Sequence, residues 1–110
     1  MTPGAVTLRA VLDAAAAATP DVEVTTEEDG SVAWSVRGKS FAILSADGGE
    51  ASFLLDPIVA GAAARTPEVT RSARGAGWVA IRPRVVDGHV ADRAGAWFLS
   101  GHRRLTGPGA

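Results

Sequence analysis

Asp87-Gly88-His89, followed by Asp92, sets one imidazole among carboxylates. Such a set is the raw material of a metal site or of a His–Asp acid–base pair. The same residues also spell a turn running into a helix start, where Asp and Gly are favoured for backbone reasons alone, and that is the reading adopted here. Ser100 and His102 supply a hydroxyl and a base, but two positions apart on a helix they point away from each other and form no nucleophile–base pair. Gly38-Lys39-Ser40 ends like a phosphate-binding loop without the upstream glycine or the following helix, and Gly75-Ala76-Gly77 lacks the flanking strand and helix of a nucleotide cradle. The chain has no cysteine, which removes disulfides, thiolate metal sites and cysteine nucleophiles. The expectation is a protein that is not an enzyme, with no cofactor and no metal ligands.

The arginines form the remaining constellation. Net charge is −1, which by itself argues against a strong nucleic-acid binder, but the charge is unevenly spread. Residues 1–64 hold three basic against nine acidic groups, a balance of −6, whereas residues 65–110 hold eight arginines against three acids, a balance of +5. Arg71 and Arg74 fall in a predicted loop, Arg82 and Arg84 alternate at a predicted strand end, and Lys39 sits in a tight turn. Converging, these five cations would contact phosphates. The competing reading is a solvated surface that pairs with the acidic half of the chain and contributes little. Arg103 and Arg104 close a predicted helix, where cations also favour the helix dipole.

The elements that must position these groups follow from periodicity. Leu8, Val11, Leu12 and Ala15 repeat at helical spacing and predict a helix over about 5–18. Val22, Val24 and Thr26 alternate with acidic residues into the Glu28-Asp29-Gly30 turn, and Ser31–Val36 reads as a second strand. Arg37-Gly38-Lys39 reverses the chain into a strand from Phe41 to Leu44, and Asp47-Gly48-Gly49 into another from Ala51 to Leu55. Asp56-Pro57 is a helix entrance, with Asp as N-cap and Pro at the first helical position, and that helix runs to about Arg65. Glu68 to Gly77 shows no hydrophobic periodicity and reads as an exposed loop feeding a strand from Trp78 to Arg82. Ala94, Trp97, Phe98, Gly101 and Leu105 share one face of a final helix over about 90–105. The three tryptophans read as core residues.

At 110 residues the chain fits one domain, 1–110, with a core over about 5–105 and a flexible tail at 106–110. Alanine accounts for 22 of its residues and fills little space, so the core rests on the larger apolar side chains. A run of hairpins cannot be parallel, and helices stand at both ends of it. The predicted fold is therefore α+β: a curved antiparallel sheet in the order α-β-β-β-β-α-β-α, with the helices mainly on one face. No leader-like or membrane-spanning stretch is apparent, so the cytoplasm is the expected location.

Three phrases carry a family resemblance: Ala33-Trp34-Ser35-Val36-Arg37-Gly38-Lys39-Ser40-Phe41-Ala42, Gly77-Trp78-Val79-Ala80-Ile81, and Trp97-Phe98-Leu99-Ser100-Gly101-His102-Arg103-Arg104-Leu105. Their order and spacing resemble the MmcQ/YjbR group of small bacterial proteins, usually described as putative DNA-binding proteins, over roughly residues 8–105. The resemblance implies a domain similar to the CyaY or secretion-chaperone folds, and a cytoplasmic protein that binds DNA non-specifically. Lys39, Arg71, Arg74, Arg82 and Arg84 are the candidate contacts for that role. The alternative is a protein-interaction or chaperone-like module, including a homodimer, that uses an exposed sheet face or edge.

Overall fold

The computed structural model describes residues 7–107. The elements run α1 (Leu8–Ala17), β1 (Glu23–Thr26), β2 (Val32–Val36), β3 (Lys39–Leu44), β4 (Ala51–Leu54), α2 (Pro57–Ala63), β5 (Val69–Arg71), β6 (Trp78–Ile81) and α3 (Gly88–Thr106). Each helix starts where a side chain satisfies a backbone N–H that has no intrahelical partner. Thr7 accepts from Ala10 N at 3.0 Å, Asp56 from Ile58 N at 3.0 Å ahead of Pro57, and Asp87 from Val90 N at 2.9 Å. The cap at Asp87 starts the last helix at Gly88, two residues before the expected Val90, and the helix runs to Thr106, one residue past the expected Leu105 and into the segment expected to be a tail. Positions 5, 6 and 108–110, included in the predicted first helix and in the predicted tail, lie outside the described residues.

All strand pairs are antiparallel, in the order β1-β2-β3-β4-β6-β5. The sheet thus has six strands, one more than the hairpin reading predicts. The addition is β5, inside the segment expected to be an exposed loop: Thr70 pairs with Ala80 and Arg71 with Val79. Three residues are too short to show a period, and only Val69 among them is buried. Between β2 and β3 the two-residue loop Arg37-Gly38 has φ of 55° and 78°. Both central residues lie in the left-handed region, as a hairpin turn matched to the sheet's twist requires.

Register sorts the two faces. The row Trp34–Ala42–Phe53–Val79 and the row Val32–Leu44–Ala51–Ile81 are buried throughout. A bulge opposite Trp34 and Ser35 leaves Phe41 as an extra residue, and Phe41 joins this face, 4.8 Å from the Phe98 ring of α3. Phe98 also meets Trp34 at 6.2 Å, and Trp97 meets Phe53 at 6.0 Å. These contacts lay α3 along the sheet; α1 packs on α3, and α2 buries Ala60 and Ala63 at the β6 end. Phe98 is fully buried in this junction, so Phe98→Ala would cost about 3–5 kcal/mol. Trp34 is also fully buried, and among the described residues its Nε1 has no hydrogen-bond partner.

The other face carries the row Thr25–Ala33–Ile43–Ser52–Ala80–Thr70, one small or medium side chain from every strand. None of the helices among the described residues packs on it. Among the described residues no helix is long and apolar enough to cross a membrane.

Candidate nucleic-acid interface

On the helix-free face, at the β5 edge, Ser52, Thr70, Ser72 and Ala80 floor a groove of about 490 Å³ whose walls include Glu50, Arg71 and Arg74. Trp78 pairs with Leu54 on the same face and is half-buried. The Arg74 guanidinium lies 5.9 Å from the centre of the Trp78 ring, within cation–π range. The Arg74 backbone N–H donates to Ser72 Oγ at 3.2 Å, which turns the chain back after β5 and directs Arg74 toward this ring. Among the described residues neither Arg71 nor Arg74 makes an ion pair.

The other three predicted cations are placed elsewhere. Arg82 is engaged by the β3–β4 turn: its guanidinium stands 3.4 Å from Asp47 Oδ2 and 3.7 Å from Glu50 Oε1. Arg84 is exposed beyond β6, where its backbone N–H donates to Glu68 Oε2 at 2.8 Å. Lys39 pairs with the buried Val36 and so belongs to the helix-bearing side. Three strand spacings of about 4.8 Å put it roughly 14 Å or more from β5. The five cations therefore do not form one patch. Arg71 and Arg74 both line the groove, but Arg71 pairs with the buried Val79 and its guanidinium extends toward Gly61 of α2, on the helix-bearing side, so Arg74 is the cation turned to the groove's face.

The electrostatics are consistent with this division. The Asp47 carboxylate is held down to about 2, first by the Ser45 hydroxyl at 2.6 Å, then by Gly49 N–H at 2.8 Å, with the Arg82 charge adding a smaller part. Asp29 is also lowered, chiefly by the hydroxyl and N–H of Ser31, with a smaller part from the Arg74 charge.

The residues weighed for catalysis serve the backbone. Asp87 caps α3, and His102 Nε2 lies 3.0 Å from Pro20 O, tying α3 to the α1–β1 connection. Among the described residues no group of three or more His, Asp or Glu side chains is arranged to hold a metal ion. Arg104 donates to the Leu55 carbonyl beside Gly77, which fastens the last helix to the end of β4. Of the tryptophans expected in the core, Trp34 is fully buried, while Trp78 and Trp97 are half-buried and Trp78 lies on the groove's face of the sheet, under Arg74. The hydroxyl floor and the role of Trp78 were missed because both depend on β5 being a strand. Thr70-x-Ser72 beside Arg71 and Arg74 is the signal that, read at period two, marks one face of it. Compared with family models, curated proteins and solved structures, the chain matches none.

Proposed function

We propose that this chain is a small, non-enzymatic DNA-binding protein that holds phosphates in the groove of Arg71 and Arg74 without reading base sequence. The observation that carries the reading is the Arg74 guanidinium, free of ion pairs among the described residues, set over the Trp78 ring beside the hydroxyl side chains of Ser52, Thr70 and Ser72 in one open groove, with Arg71 at its edge. Guanidinium groups take phosphate oxygens in a bidentate fork, and hydroxyls add position without sequence information. Trp78 beside Arg74 offers a ring on which an unpaired base can stack, worth about 1–3 kcal/mol per base in such sites. That favours single strands over duplex. The MmcQ/YjbR resemblance supports the same role.

The test is fluorescence anisotropy of labelled single-stranded and duplex DNA over a salt series. With two or three phosphates engaged, the logarithm of affinity for single strands should fall with log salt at a slope of about −1.4 to −2. Arg71→Ala with Arg74→Ala should weaken binding by about tenfold or more, while Lys39→Ala and Arg82→Ala each change it less than about twofold. Binding that is absent at low salt, or indifferent to the Arg71 and Arg74 pair, would sink the proposal.

A further inference from the structure

The two outer strands of the sheet differ in charge and in relief. Between positions 21 and 29, around β1, stand five carboxylates and no basic residue; between 65 and 74, around β5, stand three arginines against Glu68. All four residues of β1 are exposed on both faces, and Val24 presents 49 % of its surface. On the helix-bearing side next to β5 lies a recess of about 560 Å³ lined by Ile58, Gly61, Ala62, Arg65 and Arg71, with Ile58 at 85 % exposure.

We infer that β1 of one copy of this chain adds to β5 of a second copy, head to tail, continuing the antiparallel sheet. Three observations lead there. First, the strands alternate in direction across six positions, so β1 and β5 run opposite ways. A second copy in the same orientation therefore meets the first as an antiparallel neighbour, with both helix layers on one side. Second, the unpaired backbone groups match. Glu27 N–H donates to Ser31 O and Ser72 N–H to Trp78 O, which fixes the alternation of each ladder. Val24 and Thr26 then turn their backbone outward from β1, and Arg71 turns its own outward from β5. Pairing Val24 with Arg71 sets Thr25 opposite Thr70 and seats the Val24 side chain on the helix side, at the recess beside Ile58. Third, charge selects this union over its rivals. Two β1 edges would bring Glu23 and Glu27 against their own copies, and two β5 edges would oppose Arg71 to itself, whereas β1 against β5 joins opposite signs. A contact between different edges leaves one of each kind free, so it propagates until a ring closes.

The experiment is sedimentation of the full chain over a concentration series, without nucleic acid, so that its outcome is independent of the groove's proposed role. The wild type should gain mass with concentration and lose it with added salt. Glu23→Lys with Glu27→Lys and Glu28→Lys makes both edges basic, and Arg65→Glu with Arg71→Glu makes both acidic; each variant alone should associate about tenfold more weakly or worse. Mixed in equal amounts they should assemble again, because every junction recovers opposite signs. Thr26→Pro, which removes an outward N–H and leaves the ladder to β2 intact, should also weaken assembly while far-UV circular dichroism is unchanged. A wild type that stays monomeric at all concentrations, variants that associate like the wild type, or a mixture that fails to recover would overturn the inference.

Discussion

Arg82 and Asp47, separated by 35 positions, meet at 3.4 Å across the end of the sheet. The contact exists because β4 and β6 are neighbours: Ala51 pairs with Ile81, which brings the β3–β4 turn alongside the residue after β6. It takes Arg82 out of the set of free cations. Both side chains are more than half exposed, so the pair contributes little to stability and is screened by salt. Arg82→Gln should lower the urea midpoint only slightly, and by less at 1 M salt than at 0.05 M. A large loss that is insensitive to salt would show that Arg82 packs rather than pairs.

Asp47 also sets an acid limit. Its folded carboxyl titrates at about 2, below the ordinary 3.8, because Ser45 and the Gly49 N–H stabilise the anion. A depressed folded value contributes stability that is fully present above 3.8 and is lost as pH falls through about 2. Urea midpoints between pH 5 and pH 2 should therefore fall more steeply for the wild type than for Asp47→Asn, and the two curves should converge near pH 2. Parallel curves would show that the turn does not depend on the charge.

Gly38 and Gly77 share the left-handed backbone, with φ of 78° and 85°, but not their surroundings. A methyl group on Gly38 meets nothing within 4 Å; on Gly77 it runs into the Leu55 carbonyl and the Arg104 guanidinium. Gly38→Ala should cost only the backbone term, about 1–2 kcal/mol. Gly77→Ala adds a steric clash at the point where α3 is fastened to β4, and should cost more than about 3 kcal/mol. Thermal denaturation of the two variants side by side checks this, and equal losses would count against the clash.

Trp34 combines a large buried surface with an N–H that has no partner. Trp34→Ala should cost about 3–5 kcal/mol through the cavity it leaves. Trp34→Phe keeps most of the apolar ring and removes the unsatisfied donor, so the two changes oppose each other and the net loss should stay below about 1.5 kcal/mol. Denaturant titrations would separate these outcomes, and a loss from Trp34→Phe near that of alanine would mean the indole N–H has a partner in solution.

What could be read along the chain was local. Asp56-Pro57, Arg37-Gly38 and the apolar face of the last helix act within a few residues of themselves, and each appears in the fold as its chemistry dictates. The arginines behaved differently. Whether Arg82 is free depends on a turn 35 residues away, and which faces Arg71 and Thr70 take depends on a strand of three residues whose partner follows it through a glycine-rich loop. The helix-free face was silent for another reason: Thr25, Ala33, Ser52, Ala80 and Thr70 are too small or too polar to alternate visibly with their neighbours.

The packing of α1 against α3 joins the first described element to the last. During synthesis the hairpins β1 to β4 can pair as soon as they emerge, yet the buried row of Trp34 and Phe53 has no cover until Phe98 arrives. At about 5–20 residues per second, the roughly 50 residues between β4 and the end of α3 take about 3–10 seconds to make. For that interval the nascent chain displays an apolar sheet face and the unpartnered Leu8 and Leu12 of α1. A chaperone that shields apolar surface has its window there, and a ribosome stalled before residue 98 would leave behind a sticky fragment rather than a smaller domain.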